Sequence, residues 1–206
     1  MSRVLVLFAH PALEKSRCNR RLIRGLSELE GVTFVDLYEE YPQLDIDVER
    51  EKQRMGSHDV IVLQHPFYWY STPAMLKEYF DLVLEVGWAY GPGGDALHGK
   101  VMLNVITSGG TAEVYAHEGR NRFTMRELLR PIDQSAHLCG MTFLAPFVVH
   151  GAPRLGFDDV EEHRAAYHGL LEALRDDRVD LQVATSMERI NDDLASVLRA
   201  PTGSEG

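Results

Sequence analysis

The chain has 206 residues, 45% of them hydrophobic and 25% charged, which is enough for one well-buried domain of ordinary globular composition. A formal charge of -10 argues against a nucleic-acid partner and against adsorption to anionic lipid, since both need clustered Lys and Arg. No apolar stretch is long enough to span a bilayer, and Met1-Ser2-Arg3 leads into a strand rather than a signal peptide. Two cysteines, Cys18 and Cys139, without CxxC spacing suit a reducing cytosol and exclude a disulfide framework. The nine histidines are scattered, with no HxxxH or HExxH spacing, so no structural metal site is expected.

Val4-Leu5-Val6-Leu7-Phe8-Ala9 is a short continuous apolar run, and such runs read as strands buried on both faces of a parallel sheet. Ser16 can cap a helix whose apolar positions Leu22, Ile23, Leu26 and Leu29 recur at helical spacing and which Gly31 ends. Residues 32–37 predict a second strand, 38–44 a surface excursion, and about 47–56 a polar helix leading into the run Val60-Ile61-Val62-Leu63. Thr72-Pro73 combines a capping hydroxyl with a first-turn proline and starts a helix with the stripe Leu76, Phe80, Val83 and Leu84. Gly91-Pro92-Gly93-Gly94 marks a loop before the strand Val101-Met102-Leu103-Asn104-Val105-Ile106. Residues 123–138 predict a helix broken or kinked at Pro131, 141–149 a fifth strand, and 158–176 a covering helix. In the remainder, Ile190, Leu194, Val197 and Leu198 form one stripe of a short amphipathic helix, followed by a disordered Pro-Thr-Gly-Ser-Glu-Gly tail. The organisation is therefore one domain over 1–178 and a C-terminal helical extension and tail over 179–206. A β-α unit repeated in this way, with right-handed crossovers, makes a doubly wound three-layer α/β/α sandwich on a five-stranded parallel sheet of order 2-1-3-4-5.

Ligands in such sheets bind beyond the carboxyl ends of the strands, and three loops leave those ends. In the first, Ser16 and Asn19 stand at a helix start that favours an anion, and His10 and Arg17 can add positive charge; the bland alternative is that Ser16 only caps the helix and His10 only ends a strand. Neither GxGxxG nor GxxxxGK[ST] is present. Cys18 lies at the same helix start, which would lower its pKa, but no base is identifiable beside it and it reads as a bystander. In the second loop Pro66 is followed by Phe67, Tyr68, Trp69 and Tyr70, and consecutive aromatics on a loop cannot all point inward. Trp69 is the first choice for contact with a flat ring, with Phe67 and Tyr68 as walls or backbone donors. In the third, Thr107-Ser108-Gly109-Gly110 lets backbone N–H groups approach a ligand and stabilise negative charge in the manner of an oxyanion hole. Tyr115, shortly after, is by itself more often packing than chemistry. A phosphate, a flat ring and a ring edge are what these loops would hold, which points to a flavin.

With those residues assembled, the chain resembles the flavodoxin-like NAD(P)H:quinone oxidoreductases, and among them the ancillary oxidoreductases of glutathione-gated potassium efflux systems. The resemblance is carried by Ala9-His10-Pro11, Ser16 to Asn19, Gln64-His65-Pro66 through Trp69-Tyr70-Ser71, Gly87-Trp88-Ala89-Tyr90-Gly91, His98-Gly99-Lys100, Thr107 to Gly110, and Pro146-Phe147 with His150. It covers roughly the first 155 residues and nothing beyond about Val179. It implies FMN (FAD in the larger relatives), NAD(P)H as co-substrate, a quinone-like acceptor, and a homodimer with the site at the subunit interface. By position, His10, Ser16, Arg17, Cys18 and Asn19 would hold the phosphate side, Pro66 to Tyr70 would flank the ring, and Thr107 to Gly110 would meet its polar edge. Tyr115 falls where the family places a catalytic tyrosine, joining Gly109 and Gly110, and Trp88 and Tyr90 would reach the partner's pocket. The larger relatives carry a histidine six residues beyond that tyrosine; here the position is Asn121, which can donate a hydrogen bond but cannot take a proton near neutral pH. The same resemblance leaves two further roles open: a cytoplasmic regulatory subunit, peripheral at the membrane through a potassium efflux transporter, and an azo- or nitroreductase.

Overall fold

The computed structural model describes residues 1–200; the tail expected over 201–206 lies outside the described residues. Strands β1 (Val4–Phe8), β2 (Val32–Asp36), β3 (Val60–Pro66) and β4 (Val101–Thr107) are parallel, in the order β2-β1-β3-β4. Val4 lies beside both Val32 and Val60, and Val60 beside Val101. The fifth position is split. Both β5 (Thr142–Phe143) and β6 (Phe147–Val149) pair with β4, and the single strand expected over 141–149 is interrupted between them. There the Ala145 N–H donates to Ala184 O at 2.9 Å instead of continuing the ladder, and Pro146 has no N–H to give.

The apolar runs become strands because both faces are covered. Leu5, Leu7, Ile61 and Leu63 enter a core under helices α3 (Val48–Gly56), α4 (Ala74–Val83) and α6 (Arg130–Leu138). The alternate residues Val4, Val6, Val60 and Val62 enter a second core under α1 (Arg17–Leu22) and α7 (Phe157–Arg175). Each such side chain removed from water stabilises by ~1.5–3 kcal/mol.

Several local expectations change in the folded chain. The helix expected from Ser16 to Gly31 stops at Leu22, because Gly25 takes a left-handed φ of 86°, and the chain continues as a 3-10 turn, Leu26–Glu28. The excursion after β2 contains a short helix, α2 (Leu37–Glu40), capped by the Asp36 carboxylate. Thr72 does not cap α4; Pro73 takes the cap position with no side-chain bond, and the buried face is Met75, Leu76, Tyr79 and Val83, with Phe80 and Leu84 only half-buried. The helix expected over 123–138 is two, α5 (Met125–Leu128) and α6, with Pro131 in the first turn of the second.

Beyond α7 the chain forms α8 (Leu181–Ser186), a 3-10 turn (Ile190–Asp192) and α9 (Leu194–Val197). The single amphipathic helix expected there is interrupted at Asp193, whose carboxylate caps α9 by accepting from Ser196 N–H. Ala184, Ile190 and Val197 are fully buried in the same core as β1, β3 and β4.

Candidate functional site

The carboxyl ends of β1, β3 and β4 are neighbours, so their loops meet. They enclose a cavity of about 620 Å³ lined by His10, Ser16, Arg17, Cys18 and Asn19, by Pro66, Phe67 and Tyr68, and by Thr107, Ser108 and Gly109. Ala12, Lys15, Ala152 and Pro153 complete the wall; none of these was singled out from the sequence, because small and surface residues carry no local signal of a lining role. A second hollow of about 350 Å³ shares Phe67 and Gly109 and is lined by Trp69, Tyr70, Gly110, Val114, Tyr115, Arg120 and Asn121. Together they are of the size that small-molecule and cofactor sites have.

At the first loop, Ser16 Oγ accepts from Asn19 N–H (3.1 Å) and from Asn19 Nδ2 (3.0 Å), and Asn19 Nδ2 also reaches Thr107 Oγ1 at 2.9 Å. This ties the start of α1 to the end of β4. Asn19 Oδ1 is buried without a partner, and the first amides of α1 have no intrahelical acceptor by their position. His10 supplies no charge: burial keeps its pKa below the usual imidazole value, and its Nδ1 accepts from Ala12 N–H at 3.1 Å, which leaves a proton on Nε2 to donate. Positive charge comes from Lys15 and Arg17, and the cavity lining contains no carboxylate.

Cys18 reverses its expectation. It is buried, and burial pushes the thiol up to about 11 despite Arg21 and Arg17 nearby. In folded protein it should resist iodoacetamide at pH 8 and react only after denaturation, as labelling followed by mass spectrometry would check.

The aromatic loop divides its labour. Phe67 is buried, and its N–H donates to Thr107 O at 2.8 Å, locking the loop to β4. Tyr68 stands edge-on to His10 with ring centres 6.1 Å apart. Trp69 and Tyr70 take consecutive left-handed φ values of 52° and 64°, closed by Tyr68 N–H to Ser71 O (3.2 Å) and Ser71 N–H to Tyr68 O (3.0 Å), the pattern of a type I′ turn. For L-residues this costs ~1–2 kcal/mol each. The strained turn holds Trp69 93% exposed at the rim of the smaller hollow rather than in the main cavity, and Tyr70 donates to Asn121 Oδ1 across it at 3.3 Å. Trp88 and Tyr90 are half-buried against the α3/α4 core and line neither hollow.

The glycine loop has a one-sided polarity. Ser108 O accepts from Ala152 N–H (2.9 Å), Gly109 O from Arg154 (3.1 Å), and Gly110 O from Gly151 N–H (2.8 Å) and Ser108 Oγ (3.0 Å). The N–H groups of Gly109 and Gly110 have no acceptor among the described residues. A Cβ on Gly109 would meet nothing within 4 Å, so its Cα borders open space, whereas one on Gly110 would come within 2.6 Å of Val114 Cγ2 and 3.0 Å of Tyr115 Cε2.

Tyr115 packs against Phe67 (6.1 Å) and His150 (5.4 Å), and burial raises its pKa, so it is a neutral phenol at pH 7. His150 lies behind the loop with Nδ1 3.0 Å from Ser108 Oγ and a buried, unpartnered Nε2. Only the family resemblance pointed to it from the sequence; its position after a strand carries no other signal. Burial, helped by Arg189, holds its pKa down to about 4. Because the unfolded ring titrates near ~6.5, the fold is fully stable above that pH and loses stability as pH falls toward 4, by ~2 kcal/mol from this residue once residual solvation is allowed for. Urea unfolding at pH 7.5 and pH 4.5 should show the loss, and His150→Gln should remove its share.

A flavodoxin-like fold model matches residues 2–173, and with the parallel sheet and the loop cavity at its carboxyl edge the chain belongs to the flavodoxin-like family. Its relatives include the glutathione-regulated potassium-efflux system ancillary protein KefG of Shigella flexneri serotype 5b, 43% identical over 81% of this chain and 91% of the relative. Among solved structures it is similar to general stress protein 14 of Treponema denticola in complex with FMN, with 33% identity, a TM-score of 0.76, and coverage of 84% of this chain and 99% of that one. It is also similar to an NADPH-quinone reductase from P. pentosaceus, with 29% identity, a TM-score of 0.73, and coverage of 90% and 99%.

Proposed function

We propose that this chain is an FMN-dependent NAD(P)H:quinone oxidoreductase working by two-step hydride transfer. The observation that carries the reading is the glycine loop, whose carbonyls are all engaged while the Gly109 and Gly110 amides have no acceptor among the described residues and the Cα of Gly109 borders open space. The FMN bound by the Treponema denticola protein and the activity in the name of the P. pentosaceus one support it. The residues present fit FMN: a basic end without carboxylates, an orphaned amide oxygen at Asn19 that can accept from a ribityl hydroxyl, and an aromatic wall. His10, Ser16, Arg17, Cys18 and Asn19 hold its phosphate end, Lys15 adding charge. Pro66, Phe67 and Tyr68 flank the ring, Trp69 and Tyr70 stand at the outer rim beside it, and Thr107, Ser108, Gly109, Gly110 and Tyr115 face its polar edge.

Bound there, FMN supplies hydride acceptance from a nicotinamide and two-electron delivery to a quinone. The protein orients it and stabilises charge. The free amides, with the neutral phenol of Tyr115, favour negative charge at the polar edge as an oxyanion hole does. Phe67 keeps water from the inner wall. Asn121 holds Tyr70 and takes no proton. The acceptor side is the smaller aromatic hollow, completed in a homodimer by Trp88 and Tyr90 of the second copy. Purified protein mixed with FMN should acquire a bound-flavin visible spectrum, bleach under anaerobic NADH or NADPH, and recover with a quinone; failure to take up FMN would overturn the reading.

A second role is supported by the 43% identity to KefG: a cytoplasmic regulatory subunit on a membrane potassium efflux transporter. Among the described residues no helix is long and apolar enough to cross a membrane, so such a location needs a protein partner. The two roles can coexist. An azo- or nitroreductase activity would use the same pocket.

A further inference from the structure

Residues beyond 173 lie outside the stretch that the family model matches, yet they reach the flavin site from behind. β6 is the outer strand beside the end of β4, with Val148 opposite Ile106. Ser108 N–H donates to Val149 O, so Val149 faces β4 and the N–H and C=O of Val148 face outward, where an edge strand leaves them unpaired. One side chain takes both. Asn191 Oδ1 accepts from Val148 N–H at 2.8 Å, and Asn191 Nδ2 donates to Val148 O at 3.0 Å. The segment is itself held down: Ile190 N–H donates to Pro146 O at 3.0 Å, and the Arg126 guanidinium donates to Thr185 O and to Met187 O. The residues directly after Val148 are the ones that orient the glycine loop, through Val149 O to Ser108 N–H (2.9 Å), His150 to Ser108 Oγ (3.0 Å), Gly151 N–H to Gly110 O (2.8 Å) and Ala152 N–H to Ser108 O (2.9 Å).

We propose that Asn191 is a positioning residue for the flavin site: its amide clamps Val148 and so sets the loop whose Gly109 and Gly110 amides face the cofactor. The role of those amides rests on the FMN reading; the mechanical link does not. Asn191→Leu leaves two backbone groups unpaired. Val197→Ala, a buried site in the same segment, is the matched control that loosens packing without touching β6. In cofactor-free protein, amide hydrogen exchange at Ser108, Gly151 and Ala152, whose N–H groups tie the glycine loop to the segment after Val148, should rise at least tenfold in Asn191→Leu and not in Val197→Ala; equal exchange in the two variants overturns the link. With FMN, the dissociation constant should rise about tenfold in Asn191→Leu only. The midpoint potential should fall by ~30 mV, the two-electron equivalent of a further tenfold loss of affinity for the reduced cofactor beyond that of the oxidised one, because its negative charge depends more on those amides. A purely structural Asn191 would leave that potential unmoved, and this result would overturn the proposal. If Asn191→Leu does not fold, Asn191→Ser carries the same comparison. Wild-type protein that takes up no FMN counts against the flavin reading, while the exchange experiment still decides the clamp.

Discussion

Gly109→Trp is expected to weaken FMN binding by at least a thousandfold, ~4 kcal/mol, while the variant melts within a few degrees of wild type. The two halves have separate physical grounds. Gly109 has no left-handed φ, and a Cβ there meets nothing within 4 Å, so the backbone accepts a side chain without strain. Yet Gly109 lines both the main cavity and the smaller hollow, and an indole of ~150–250 Å² would occupy the space where they join. Fluorescence titration with FMN and a thermal melt measure both quantities; unchanged affinity would remove the glycine loop from the site. The same variant separates the two proposed roles, because transporter activation that survives loss of flavin would assign the regulatory role to the protein surface. Gly110→Ala is a different experiment, since its Cβ would press on Val114 and Tyr115 and displace them.

The second large effect lies away from the cavity. Glu51→Ala is expected to destabilise the protein by ~3–5 kcal/mol, a drop of ~6–20 °C in melting temperature. Glu51 is fully buried on α3, pairs with Arg54, and accepts from Tyr41 (2.5 Å) and Tyr79 (3.1 Å). Removing it strands two phenols and leaves Arg54 only its longer contact with Glu40 (3.6 Å), so much of the loss is the desolvation of groups left under-partnered rather than the worth of the ion pair. FMN affinity measured well below the transition should stay unchanged, because none of these residues lines the cavity. Denaturant unfolding gives the number, and a loss under 1 kcal/mol would contradict it.

The positions of the three loops were legible because the signal is local. Short apolar runs such as Val60-Ile61-Val62-Leu63 carry the mark of strands that need cover on both faces, and the loop leaving a parallel strand must lie at its carboxyl end. Ser16 as a helix cap was equally local and is observed. Titration was not legible: a helix start lowers a cysteine's pKa, but at Cys18 burial under other segments outweighs it. Which aromatic faces inward was not legible either, since the left-handed turn that lifts Trp69 outward results from closure between Tyr68 and Ser71.

From the sequence alone came the doubly wound parallel sheet, its strand order and the loops that gather at its edge, because strand periodicity and crossover handedness are properties of short stretches. The tertiary structure alone decided that a residue within a polar helix, Glu51, is a buried hub, that β5 and β6 split around Pro146, and that Asn191, far along the chain, grips the strand behind the glycine loop. Burial and long-range hydrogen bonds depend on which distant segment covers a residue, and no window of neighbouring residues contains that information.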